Sequence, residues 1–402
     1  MLKYHSRRPA IHHEHSEGAK VARLSFMVNV GDAAFWTILP IQLSVLAGGD
    51  GPVGFYYALI ALIGTAVAVV SSEMFRRYRK IAIGAVSLVA MAVLLAGMSV
   101  ADDIWILALF DVPRSVFFML VTIVLGLLVR DFATTADLAM QEGRYYQYSN
   151  FGWLIGPVAA GYIAYFYSNE AVFLFVALVF TASLLYLWHL HLRVHPAMAH
   201  HGDIQTTRHA WADLREFLSR PRLRRVFVLA FGMEFWWIVS SIYIPLAVIG
   251  LGYGPEVVGW VVAGGIIPLV LLEPWVGRKA QERGTRSYIT VGFGILAAGS
   301  LSFALVGFSP ELLLFLFAAI NVGAALIEPL TDTYFFESAR GDEAEEFFGI
   351  YNASAPFANL VGPLLGAAVF TIGYGLEGVW ILTAVFLLLC AKVALRIGRA
   401  DG

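Results

Sequence analysis

Long apolar runs constrain this chain more than any other feature of its sequence. Twelve of them, separated by short polar or glycine-rich breaks, lie at 21–47, 52–72, 81–101, 104–129, 145–167, 169–191, 223–249, 256–275, 287–308, 311–336, 346–372 and 375–396. About 20 apolar residues suffice for one helix to cross a bilayer. Composition agrees, since 59% of the 402 residues are hydrophobic and 14% are charged, where a soluble domain carries roughly a quarter charged. Backbone in hydrocarbon must satisfy its own hydrogen bonds, so the expected class is all-α, a polytopic membrane protein of twelve transmembrane helices. No phosphate loop, nucleophile triad or dinucleotide fingerprint stands in a supporting context. Catalysis, ATP-driven transport, a cofactor and a nucleic-acid partner are therefore not expected.

Only one connection is long, from about Arg193 to Arg222, with six spans before it and six after. The expected organisation is a tail over 1–20, a six-helix bundle over 21–192, a middle loop over 193–222, a second six-helix bundle over 223–397 and a short tail over 398–402. Within the loop, Trp211, Leu214, Phe217 and Leu218 form an amphipathic stretch suited to a helix lying at the membrane surface. The lone Cys390 excludes an internal disulfide framework. The first twenty residues lack the short apolar run of a signal peptide, and the first span is expected to serve as the insertion signal.

Basic residues give the orientation. Lys3, Arg7, Arg8, Lys20 and Arg23 lie in or next to the N-terminal tail, and Arg76, Arg77, Arg79 and Lys80 follow span two. The middle loop, the loop with Arg278, Lys279, Arg283 and Arg286, and the C-terminal Lys392, Arg396 and Arg399 fall on the same face. Opposite loops carry Asp50, Asp102, Asp103, Glu170, Glu256 and Glu377, with no Lys or Arg. The positive-inside bias then puts both termini in the cytoplasm, and a bacterial cytoplasmic (inner) membrane is the expected location.

The halves look like copies. Gly143, Tyr145, Phe151, Leu154, Gly156 and Pro157 recur as Gly349, Tyr351, Phe357, Leu360, Gly362 and Pro363 at one constant offset, opening spans five and eleven. With this pseudo-symmetric six-plus-six pattern, the chain resembles the major facilitator superfamily of secondary transporters over essentially all its spans. The most specific likeness is Gly143, Gly152, Gly156-Pro157 and Ala160-Gly161, similar to the family's span-five antiporter motif with alanine opening the closing pair. Glycines on one face admit close helix approach and proline bends the helix, making a packed pivot; ordinary close packing is the alternative. Arg76, Arg79 and Lys80 match basic positions of the family's loop motif, with Phe75 where its acid stands. Gly277, Ala280, Gly284 and Arg286 match in the second half, with Gln281 at the acidic position. These basic residues also serve as topology signals.

Intramembrane ionisable residues carry the functional expectation. Asp32 and Glu234 each lie about eleven residues into equivalent spans, near the bilayer midplane. In the resembled family those spans line the central cavity. Asn29 and Trp36 share the face of Asp32, and Trp237 and Ser241 that of Glu234. Trp36, Trp236, Trp237 and Tyr243 suit stacking on an amphipathic or cationic solute, or plain packing. Arg114, where the family's span-four arginine sits, needs a partner, and Asp111 one turn earlier is the nearest. Glu328 and Asp332, one turn apart with Pro329 between them, suit a second proton or cation station or a gate; Glu273-Pro274 suits a gate or cap. His12, His13 and His15 in the tail, and His200 and His201 in the loop, are weak candidates for metal.

The expectation is a monomeric transporter in the lipid bilayer that exchanges a small-molecule substrate for protons by alternating access, in the export direction the motif implies. Proton-coupled import of a nutrient is one alternative. A non-transporting membrane sensor with a metal-responsive histidine surface is another.

Overall fold

Prolines and glycines set where the helices of this chain start, stop and break. The computed structural model describes residues 8–131, 138–190, 210–305, 309–339 and 343–398, whose regular structure is all helical. The elements in order are α1 (Arg8–Ala47), α2 (Gly51–Arg77), α3 (Lys80–Met98), α4 (Ile104–Asp131), α5 (Leu138–Phe166), α6 (Asn169–His189) and α7 (Ala210–Ser219). There follow α8 (Pro221–Gly250), α9 (Pro255–Arg283), α10 (Thr285–Leu305), α11 (Pro310–Ser338), α12 (Glu343–Asn352), α13 (Ser354–Thr371) and α14 (Gly375–Ala394). Among the described residues, ten helical stretches are long and apolar enough to cross a membrane, α12 and α13 counting as one, and Gly51–Thr65 of α2 is a shorter apolar stretch.

Helices α8, α9 and α11 each begin at a proline, where the missing N–H would be unpaired in any case. Helix α9 stops at Gly284, whose φ of 82° strains any residue with a Cβ, and whose N–H bonds back to the Ala280 carbonyl at 2.8 Å. The helix starts of the sequence analysis hold to within a few residues except at α1, which begins at Arg8 rather than 21, and at α5, which begins at Leu138 rather than 145. Pro9 falls in its first turn, and no further proline interrupts it until Pro40.

The eleventh run departs from expectation in being two helices. Pro356 has no N–H for the carbonyl of Asn352, four residues earlier, and its ring crowds that carbonyl. Helix α12 ends at Asn352, and Ala353 bonds to Gly349 and Ile350 together, both at 3.2 Å, before α13 resumes.

Two compact units emerge from the contacts. The first comprises residues Met1–Phe35, Ala66–Gly156 and Glu170–Gln205. It holds α3, α4 and most of α6, which is joined to α1 by the Phe35 and Phe173 rings at 5.9 Å. The second comprises Trp36–Thr65, Pro157–Asn169 and Thr206–Gly402. There α9 packs along α11, α10 along α14 and α11, and α8 along α13.

Helix α5 contributes to both units and changes neighbour at Gly156-Pro157. In the first unit, a Cβ on Gly152 would lie 2.7 Å from the Asn29 Cβ, and one on Gly156 would lie 2.5 Å from the Val30 carbonyl. In the second, a Cβ on Gly161 would lie 2.5 Å from the Pro255 carbonyl, and one on Gly259 of α9 would lie 2.4 Å from the Pro157 carbonyl. The motif glycines thus let α5 lie backbone to backbone on α1 along one stretch and on α9 along the next.

The middle-loop helix α7 turns Phe217 into protein rather than toward lipid. That side chain is fully buried, with its ring 5.7 Å from Phe347 and 6.3 Å from Phe227. Arg220 pairs with Glu216 and stands 5.3 Å over the Phe347 ring.

Replacing Gly156 by valine is expected to lower the melting temperature of the purified protein, the cost being about 1–3 kcal/mol for overpacking against a backbone that cannot yield. Gly126→Val on α4, where a Cβ meets nothing within 4 Å, is expected to melt like the wild type. Equal melting of the two variants would show that the α1–α5 approach is not tight.

Candidate functional site

Hydroxyl side chains within these helices mostly bond to their own backbone. Ser241 donates to the Ile238 carbonyl at 3.0 Å, Ser183 to Val179 at 2.8 Å and Thr383 to Val379 at 2.8 Å. A carboxylate has no proton to donate in this way, and mid-helix N–H groups are already engaged, so each embedded acid must find donors on other side chains. Those donors define the polar centres of the two units.

In the first unit, Arg114 donates through Nε to Oδ1 of Asp111 at 2.6 Å. Both side chains are sealed, at 5% and 1% exposure, and the guanidinium stands 3.7 Å from the centroid of the Phe35 ring. The pair expected from spacing is therefore present, with an aromatic face as its second neighbour. Asp32, three residues before Phe35 on α1, is also buried. Asn29 is occupied in a seam between α1 and α5. Its Nδ2 donates to the Ser25 carbonyl at 2.8 Å and reaches the hydroxyls of Ser25 and Ser149 at 3.2 Å, while Ser149 donates to the Tyr145 carbonyl at 3.0 Å.

In the second unit, Trp36 stacks on Tyr57 with ring centroids 5.3 Å apart. Four acids that the sequence analysis divided among three roles share one group here. Glu328 of α11 feels the charges of Glu273 on α9, Glu234 on α8 and Asp332 one turn along, and its carboxylate accepts a hydrogen bond from the Trp237 indole. Glu234 in turn feels Asp332. The side chains of Glu328 and Asp332 are exposed, whereas Glu234 and Glu273 are half-buried. Glu328 is nevertheless crowded by protein atoms.

One further residue joins this group. The Tyr351 hydroxyl of α12 donates to Oδ1 of Asp332 at 2.5 Å, and its ring stacks on Phe335 with centroids 4.5 Å apart. Sequence reasoning used Tyr351 only as a marker of the internal repeat, and no spacing rule links it to a residue on the preceding span. Deeper in the same unit, the Trp236 indole donates to Asn321 at 2.9 Å. Helix α11 continues through Pro329, and Thr331 and Thr333 cover the carbonyls of Glu328 and Pro329 at 3.0 Å each.

The loop-motif residues fall at helix ends. Arg79 is the residue before α3 and Lys80 its first, buried. Gly277 lies within α9, Gly284 ends it, and Arg286 stands in the first turn of α10. His200 and His201 lie outside the described residues, as do the side chains of Arg76, His12, His13 and His15 and the surroundings of Gly143. Among the described residues, no three of His, Cys, Asp and Glu come together closely enough to hold a metal ion.

Known proteins share this architecture. A family model described as Major Facilitator Superfamily matches residues 21–309 and 235–400. No characterised protein matches the chain significantly by sequence. Among solved structures, a POT family transporter in complex with 5-aminolevulinic acid aligns with a TM-score of 0.75 at 11% identity, covering 94% of this chain and 95% of that one. The nucleoside transporter NupG aligns at 0.73 and 13%, covering 95% and 100%. A bacterial homolog of the human lysosomal transporter Spinster, in an inward-facing and unoccupied conformation, aligns at 0.70 and 13%, covering 97% of each chain. Such identities speak for the fold alone, but the family match takes in nearly every helix, and the chain belongs to the Major Facilitator Superfamily of transporters.

Proposed function

We propose that this transporter exports a small cationic or amphipathic solute in exchange for protons, with the acids of α8, α9 and α11 as the exchange site. The observation that carries this reading is the company kept by Glu328: three other carboxylates and the indole of Trp237. Like charges that feel one another repel, the more so where the effective dielectric is low. Carboxylates in such company keep their places together most readily when something positive sits among them, either protons or a cationic solute. Protons and solute then compete for the same oxygens, and competition at one site is the physical basis of exchange. Trp237 supplies an aromatic surface beside those oxygens, a combination suited to an organic cation.

Arg114 has a different place in this reading. Bound to Asp111 and stacked on Phe35, it balances the first unit and tunes Asp32, which serves as a second proton-carrying acid. The close approach of α5 to α1 and α9 at the glycine-proline element supports the antiport direction. The two six-helix halves, 21–192 and 223–397, serve as the moving bodies, in a bacterial inner membrane with both termini in the cytoplasm. That a transporter of the same fold is seen with 5-aminolevulinic acid, a small solute bearing an amino group, supports the size and chemistry of the cargo.

In proteoliposomes, a proton gradient is expected to drive tetraphenylphosphonium against its own gradient. Glu328→Gln is expected to reduce that movement at least about tenfold, as befits loss of an intramembrane ionisable group, with melting temperature little changed. A variant that transports like the wild type would remove Glu328 from the site. Solute accumulating on the same side as the protons would make the protein an importer.

The affinity for tetraphenylphosphonium is expected to fall as pH falls, by up to about tenfold per pH unit for each proton displaced, because protons bind the solute-free form in its place. Isothermal titration across the acid range checks this. A flat pH profile with tight binding would place the cation away from the carboxylates.

A further inference from the structure

We infer that Tyr351 is a latch that reads the charge of Asp332 and thereby couples the acid group to the position of α12 and the middle-loop helix α7. The inference rests on the exchange reading only in taking Asp332 as a group whose charge changes during the cycle.

Three observations carry it. First, α12 is a separate ten-residue rod, broken from α13 at Ala353 because Pro356 cannot bond to the Asn352 carbonyl. The rod therefore has a hinge at one end. Second, one face of the rod holds the acid group. The Tyr351 hydroxyl donates to Asp332 at 2.5 Å, with the Thr331 side chain as a second hydrogen-bonding neighbour, and Phe348 and Tyr351 pack on Phe335. Third, the same rod holds the linker between the halves of the sequence. Phe347, fully buried, meets Phe217 of α7 edge to face at 5.7 Å, and Arg220 stands over its ring. Tyr351 and Phe347 are one helical turn apart, so a movement of the rod that frees one also disturbs the other.

The charge of Asp332 sets the strength of the bond. A phenol donating to a charged carboxylate makes roughly twice the bond it makes to a neutral group. When a cationic solute takes up the charge of Asp332, Tyr351 loses its strong acceptor and α12 is released at Ala353. The groups facing Asp332 are Glu234 on α8, Glu328 on α11 and Tyr351 on α12, with Glu273 of α9 acting on Glu328. On the far side of α11, Tyr334 faces Arg222 and Arg225, and Arg225 is also tied to the Arg396 carbonyl beyond α14.

A helix of ten residues is unstable by itself in water, so its release appears as amide exchange along its length. Hydrogen exchange of full-length protein in lipid nanodiscs at neutral pH would be compared among wild type, Tyr351→Phe and Asp332→Asn. Residues 343–352 are expected to exchange at least about tenfold faster in Asp332→Asn than in wild type, the factor for weakening a hydrogen bond to a charged acceptor. Tyr351→Phe keeps the ring stack and is expected to exchange as fast. Wild-type behaviour over these residues in either variant overturns the latch. If tetraphenylphosphonium exchange is absent while α12 responds as described, the transport reading fails and the latch stands. Exchange transport with α12 insensitive to both variants overturns the latch alone.

Discussion

A polar side chain in a membrane helix must find its hydrogen-bond partners within the protein, and the chemistry of each group decides where it looks. Serine and threonine carry a proton and can spend it on a carbonyl three or four residues back, as Ser183, Ser241, Ser300 and Thr383 all do. An ionised carboxylate only accepts. Asp111 is satisfied by a guanidinium on its own helix, Glu328 by an indole on another helix, and Asp332 by a phenol across a helix break. Each embedded acid thus names its neighbours, and polar centres gather around the acids rather than around the far more numerous hydroxyls.

This distinction also separates what could be read in advance from what could not. Depth along a span is one-dimensional, so the sequence placed Asp32, Glu234, Glu328 and Asp332 inside the membrane and paired Arg114 with Asp111, one turn away. Which acids meet is decided by how α8, α9 and α11 rotate against one another, and that depends on side-chain packing along their whole lengths. Hence Glu234 joins Glu328, Glu273 and Asp332 in one group, and Asn29 joins Ser25 and Ser149 in a seam between α1 and α5. Ser241 shares a helical face with Glu234 by count, yet its hydroxyl turns to its own backbone. The break at Ala353 had a local signal in Pro356, which the unbroken apolar run around it concealed.

The internal repeat and the compact units divide the chain differently, for different reasons. Repetition of Gly156-Pro157 as Gly362-Pro363 follows the halves of the sequence. The contacts instead group residues 36–65 and 157–169 with 206–402, because stretches of α2 and α5 lie closely on helices from the second half. Gly54 approaches the Pro363 carbonyl so nearly that a Cβ would stand 2.4 Å from it, and Gly161 does the same to Pro255 at 2.5 Å. Only residues without side chains permit such distances. Contacts of this kind describe one conformation, whereas a sequence repeat belongs to all of them.

The two repeats of the glycine-proline element then differ in an instructive way. Pro157 lies within a continuous α5, and its carbonyl is approached by Gly259 of α9. Pro363 likewise lies within a continuous α13, but the equivalent helix carries a second proline, Pro356, seven residues earlier. The first-half counterpart of Pro356, at the same offset, is Asn150, which keeps its N–H, and α5 runs through that position unbroken. One difference between two copies of a helix has therefore interrupted the second copy alone. That interruption stands two residues beyond the tyrosine that holds Asp332, so the half that contains the acid group is also the half whose helix is divided.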